Sequence, residues 1–137
     1  KHVTTVEYNV PICDHKLIRT ISFDKFVEED IKYDAIFSYS SIEHSGLGRY
    51  GDDLDPEGDI KTINTVYDKL EDDGLLFLGL PVGRDALVWN AHRVYGELRL
   101  NILLEKFEDF ISYIDTSCQV ILNRKRKELT TRILDER

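Results

Sequence analysis

Residues 33–59, YDAIFSYSSIEHSGLGRYGDDLDPEGD, are the stretch in which an apolar strand pattern stops and a polar loop begins. Up to Phe37 the residues ask for burial. From Ser38 to Asp59 they offer hydroxyls, carboxylates, an imidazole, a guanidinium and glycines, with few side chains able to form a core. In an open α/β sheet, ligands bind beyond the carboxyl ends of the strands, so this loop is the expected seat of function. The short, nearly unbroken apolar run at Tyr33 to Phe37 is expected to be a strand covered on both faces in a parallel sheet.

Working upstream, VTTV at residues 3–6 is β-branched and reads as a strand, with Glu7 at its carboxyl end. Leu17 to Phe23 reads as a second, weaker strand, and Asp24 is expected to cap the short acidic segment DKFVEED. Downstream, Asp59 is expected as the N-cap of a helix carrying Ile60, Ile63, Val66, Tyr67 and Leu70 on one stripe and ending before Gly74. LLFLGLPV at 75–82 has the composition of a central strand whose pairing stops at Pro81. The spacing of Tyr95, Leu98, Ile102 and Leu103 predicts a second helix over 92–107. Phe107 to Ile114 and Cys118 to Asn123 read as strands, and the brief Asp115-Thr116-Ser117 link permits only an antiparallel hairpin. Strands alternating with helices and closed by a hairpin give an α/β doubly wound sheet with an antiparallel edge.

With 137 residues, 42% of them hydrophobic, the chain is expected to fold as one domain, residues 1–137. A net charge of −8 argues against broad attraction to nucleic acid or anionic membranes. The basic run Arg124 to Lys127 is bracketed by acidic residues and reads as a solvated strand end. Cys13 and Cys118 form no CxxC pair, which reads as two ordinary thiols in a reduced, cytoplasmic setting. No apolar run reaches the roughly 20 residues of a membrane helix. The sequence opens on Lys1 rather than Met and enters a strand pattern at once, so Lys1 is expected to be internal to a longer parent.

Four segments, VTTVEYN at 3–9, SSIEHSGLGRYGDDLDPEGD at 40–59, PVGRDALVWNAHRVYG at 81–96 and FEDF at 107–110, resemble the DUF268 family described from Caenorhabditis proteins. Through it they resemble the Rossmann-like S-adenosylmethionine-dependent methyltransferases. The resemblance implies a partial methyltransferase fold, because the first strand and its glycine-rich loop precede the second strand in such enzymes and no GxGxG occurs here. That first strand lies between the second and fourth in the family's sheet, so its loss would leave two unpaired strand edges. The implied cofactor is S-adenosylmethionine in the intact parent. Glu7 and Tyr8 would meet the ribose, Phe23 and Asp24 the adenine, and Ser40 and Ser41 the methionine portion. A carboxylate suits the ribose because it accepts two hydrogen bonds from a vicinal diol.

Two candidates carry catalysis. His44 could act as general base, since imidazole titrates near neutrality, and Glu43 could orient it or the substrate, although neighbours in an extended loop point apart. Arg49, Tyr50, Trp89, His92 and Arg93 are candidate substrate contacts, Arg for carboxylate or phosphate and aromatics for planar groups. The acidic cluster at Asp52, Asp53, Asp55, Glu57 and Asp59 opens like a calcium loop, but Asn64 stands where the closing Glu belongs, so no metal is expected. No GxSxG surrounds Ser38, Ser40 or Ser41, which argues against a hydrolase. Two functions remain open: methyl transfer to an unknown acceptor, or a noncatalytic binding or scaffold domain that keeps the fold.

Overall fold

The computed structural model describes residues 2–107, 109–114 and 119–124. Lys1, Glu108, the 115–117 link, Cys118, residues 125–127 of the basic run and the tail beyond them lie outside the described residues. Two compact units, Lys1–Ile31 and Lys32–Arg137, make up the chain.

In the first unit, β1 (Val3–Glu7) and β2 (Ile18–Ser22) pair in parallel, with Val3 opposite Ile18 and Glu7 opposite Ser22. The β-branched residues suit this pleat, and the Thr5 and Thr20 hydroxyls hydrogen-bond across it at 2.9 Å. The helix that follows, α1 (Phe23–Glu28), is capped by Ser22, whose hydroxyl accepts the Lys25 N–H at 3.2 Å. Asp24 is therefore not the cap; it sits one position inside the first turn, where its charge still complements the helix dipole. Ile21 and Phe26 are buried.

The second unit opens with β3 (Tyr33–Tyr39) and a 3-10 turn at Ile42–His44. Then come α2 (Gly58–Lys69), β4 (Leu70–Leu80), β5 (Ala86–Val88), β6 (His92–Val94), α3 (Glu97–Leu103), β7 (Asp109–Ile114) and β8 (Gln119–Arg124). The sheet order is β3-β4-β8-β7. β3 runs parallel to β4, whereas β8 is antiparallel to both β4 and β7, the closing hairpin expected from the short link. Leu76, Leu78 and Leu80 of β4 alternate into a core with Ile42, Ile63, Val66 and Tyr95, which confirms the central place of this strand.

Three expectations need correction. β3 is an edge strand with β4 as its one partner among the described residues, so its cover is incomplete: Phe37 is 73% exposed, although its ring stacks on Phe77 at 4.3 Å. The first helix of this unit ends at Lys69, and Gly74 lies within β4, because pairing with β3 begins at Leu70, is interrupted by an irregularity and resumes at Leu75. No helix spans 92–107; His92–Val94 pairs instead with Ala86–Val88 as an antiparallel hairpin, and the helix is confined to Glu97–Leu103. Tertiary bonding of Arg93 and Tyr95 overrides the helical spacing there.

Candidate functional site

The loop after β3 begins under backbone constraint. Ser40 has φ of 50°, a left-handed conformation that few non-glycine residues adopt, and its N–H is held by the Gly79 carbonyl at 3.0 Å. That turn aims the Ser40 hydroxyl at Glu43 Oε1, to which it donates at 2.8 Å. Ile42, buried in the core, anchors the 3-10 turn that follows. Glu43 and His44 do not point apart as an extended loop would require. The turn brings His44 Nε2 to 3.7 Å from Glu43 Oε1.

Glu43 is 1% exposed, and its Oε2 is buried with no hydrogen-bond partner. His44 Nδ1 lies 2.5 Å from the Ala91 carbonyl oxygen. A carbonyl only accepts, so Nδ1 carries the hydrogen and Nε2 is the basic nitrogen of the neutral ring. The rings of Tyr50 and His92 stand edge-on to His44 at 5.7 and 6.3 Å. The Glu43 carboxyl thus keeps one oxygen without a partner close to the Nε2 face of the imidazole.

The rest of the loop closes on itself. The Asp55 N–H bonds the Gly46 carbonyl at 2.9 Å and the Gly58 N–H bonds the Asp55 carbonyl at 3.0 Å, so the chain crosses itself at two glycines. A Cβ on Gly58 would stand 2.7 Å from Gly46 Cα. Inside this closure Asp52 accepts the N–H groups of Gly46 at 2.6 Å and Tyr50 at 3.3 Å. Partial burial pushes its carboxyl up, but these backbone N–H groups outweigh it and hold Asp52 below its ordinary value. Asp55 is also held low, chiefly by its hydrogen bond to Lys61.

Arg93 ties the loop to the β5–β6 hairpin. Its Nη1 donates to the carbonyls of Ser45 at 2.6 Å and Glu43 at 3.4 Å, and its Nη2 to those of Asp55 at 3.3 Å and Pro56 at 3.2 Å. Its Nε faces Asp59 at 3.6 Å. Asp59, fully buried, accepts from the Tyr95 hydroxyl at 3.1 Å and takes a fork from Arg99 at 3.1 and 2.5 Å. It is not the cap of α2: it is the second helical residue, and its carboxylate is spent on this network. Burial, and then the Asp59 charge, push the Tyr95 phenol far above its ordinary value, so it remains a donor. Asp85 accepts the N–H groups of Gly96 at 2.8 Å, Leu98 at 3.0 Å and Arg99 at 3.1 Å, which serves the first turn of α3 and holds Asp85 below its ordinary value.

The second unit thus brings Ser40, Glu43, His44, Tyr50, His92 and Arg93 together. Ser41, at the amino end of the 3-10 turn, is exposed, with its carbonyl taken by the His44 N–H. Arg49 is exposed over the Tyr50 ring at 5.7 Å, and Trp89 lies 70% exposed at the hairpin tip. In the first unit Glu7, Tyr8, Phe23 and Asp24 cluster at the carboxyl end of the parallel ladder, with the Tyr8 and Phe23 rings stacked at 6.1 Å. Asp59, Tyr95, Arg99 and Asp85 escaped sequence reasoning as parts of a network. Partners 36 and 40 positions apart leave no local spacing to read. Among the described residues no group of three or more His, Cys, Asp or Glu is placed to hold a metal ion, and no helix is long and apolar enough to cross a membrane.

The family described as "Caenorhabditis protein of unknown function, DUF268" matches residues 1–136. The chain belongs to the DUF268 family. Among curated proteins no significant match is found. Solved structures similar to this DUF268 chain include the 1,6-didemethyltoxoflavin-N1-methyltransferase of Burkholderia thailandensis, bound to 1,6-didemethyltoxoflavin and S-adenosylhomocysteine. Its TM-score is 0.64 at 16% identity, over 92% of this chain and 62% of that one. Human N-acetylserotonin methyltransferase, in complex with SAM, gives 0.62 at 14% identity over 92% and 41% of the two chains. An O-methyltransferase family protein from B. thailandensis gives 0.60 at 8% identity over 80% and 36%. The DUF268 chain therefore has a partial Rossmann-like methyltransferase fold and spans between about a third and two thirds of these proteins' lengths.

Proposed function

We propose that residues 1–137 form a single methyltransferase-like domain for transfer of a methyl group from S-adenosylmethionine to an acceptor not yet identified. The observation that carries this reading is the likeness of fold to methyltransferases over 92% of the chain. The residues that fit the cofactor are those for its nucleoside half. Glu7 is an exposed carboxylate at a parallel strand end, suited to a ribose diol, and the stacked Tyr8 and Phe23 rings offer a face for adenine. When bound, S-adenosylmethionine supplies an electrophilic methyl group on a sulfonium. Ser40 and Ser41 face the methionine portion in this reading.

His44 receives at Nε2 the proton that the acceptor's nucleophile gives up, and the Glu43 carboxylate 3.7 Å away stabilises the imidazolium so formed. The Ala91 carbonyl holds the ring in the one tautomer able to do this. Arg49, Tyr50, Trp89 and His92 contribute contacts to the acceptor. Arg93 has a different part: its donors are taken up by four carbonyls and Asp59, so it shapes the loop rather than binding an anion. The absence of GxGxG from the sequence favours a second reading, a noncatalytic binding domain on the same fold.

Isothermal titration with S-adenosylhomocysteine separates the two. The wild-type protein is expected to bind saturably, and Glu7→Ala to bind at least about tenfold more weakly, the worth of one charge-assisted hydrogen bond. Unchanged affinity in Glu7→Ala removes the ribose role; no binding by the wild type sinks the cofactor reading and leaves the noncatalytic one.

A further inference from the structure

A cavity of about 670 Å³ opens in the second unit between the closed loop and the β5–β6 hairpin. Its size falls within the range of small-molecule sites. Three large apolar residues that line it are strongly exposed: Leu54 at 64%, Leu87 at 55% and Trp89 at 70%. Single exposed apolar side chains are ordinary, but three converging on one concavity form a surface suited to a ligand.

The charged residues of its wall decide which ligand. Arg93 offers five N–H donors, and each nitrogen already faces a carbonyl or the Asp59 carboxylate. Arg93 and Arg99 share the Asp59 carboxylate, Asp85 lies in the field of Arg99 and accepts three backbone N–H groups, and Asp55 is paired with Lys61, so the two guanidiniums of the wall are balanced by Asp59 and Asp85. An incoming carboxylate, phosphate or ammonium would find no uncommitted countercharge and would lose its hydration. Among the described contacts, Arg99 Nη1 and the Trp89 indole N–H are donors of this wall with no acceptor, suited to a neutral acceptor at Arg99.

We propose that this cavity binds an uncharged small molecule with a flat apolar body that stacks against Trp89 and carries one hydrogen-bond acceptor for Arg99. The proposal shares Trp89 with the acceptor contacts proposed above but needs no methyl transfer, and it is tested without the cofactor. Trp89 is the sole tryptophan of the sequence, so its indole N–H gives one assignable cross-peak in a 1H–15N spectrum. Titration uses three probes of one shape: 2-naphthamide, 2-naphthoate and 2-naphthylmethylammonium. The neutral amide is expected to shift the indole peak saturably, and both charged probes to bind at least tenfold more weakly. Leu87→Glu and Leu54→Glu, at exposed lining positions, are each expected to weaken the amide at least tenfold while other cross-peaks stay in place. Equal binding of a charged probe, wild-type affinity for the amide in both variants, or an indole peak that no probe moves would each overturn the proposal.

Discussion

Replacing Arg93 with methionine is expected to destabilise the second unit by about 3–5 kcal/mol, the range for removing one partner of a buried ion pair. The methionine keeps the apolar stem, so the loss isolates the guanidinium. Four carbonyls, of Glu43, Ser45, Asp55 and Pro56, lose their donor, and Asp59 loses one of its two cations. Arg93→Lys is expected to recover less than half of the difference, because an ammonium has the charge but not the fork that reaches carbonyls on both sides of the loop. Denaturant unfolding of the three proteins checks this; a loss below about 1 kcal/mol for Arg93→Met would contradict the role given to this residue.

The second large effect is expected at Gly46. An alanine there combines a positive φ of 76° with a Cβ that would overlap the Asp55 carbonyl oxygen and stand 3.0 Å from Gly58 Cα. Backbone on backbone has no flexible end to swing aside. Left-handed strain of about 1–2 kcal/mol adds to overpacking of about 1–3 kcal/mol. Gly51 is the internal control, with φ of 89° and nothing within 4 Å of its would-be Cβ, so Gly51→Ala should show the strain alone. Thermal unfolding of both variants separates the two contributions: a Gly46→Ala loss no larger than that of Gly51→Ala would remove the crossing as the cause.

These two residues also mark what the sequence could and could not disclose. The strands at Val3–Glu7, Ile18–Ser22, Tyr33–Tyr39 and the centre of β4 were legible because β-branched or continuous apolar runs favour the extended, pleated backbone, although only β4 among them is largely buried. The antiparallel pairing of β7 with β8 was legible because a short link admits no crossover. The β5–β6 hairpin was not. Its strands have three residues each, too few to show alternation, and Tyr95, Leu98, Ile102 and Leu103 happen to keep helical spacing. Asp59 before an apolar stripe looks like a cap, yet the carboxylate answers to Arg99 and Tyr95 from far along the chain. His44 and Glu43 were found as residue types suited to proton transfer. Their proximity was not, because it depends on a 3-10 turn that no local pattern announces.

The same distinction bears on substrate recognition. Arg93 reads in the sequence as an anion receptor, and burial with five committed donors makes it a brace. Trp89, by contrast, is 70% exposed.

The central proposal is that the carboxyl end of the β1–β2 ladder receives the nucleoside half of the cofactor. Its most direct test is a 1H–15N titration of the wild-type protein with S-adenosylhomocysteine. The amides of Glu7, Tyr8, Phe23 and Asp24 should shift together along one saturation curve. Four amides that stay in place, or that titrate with different constants, would contradict it.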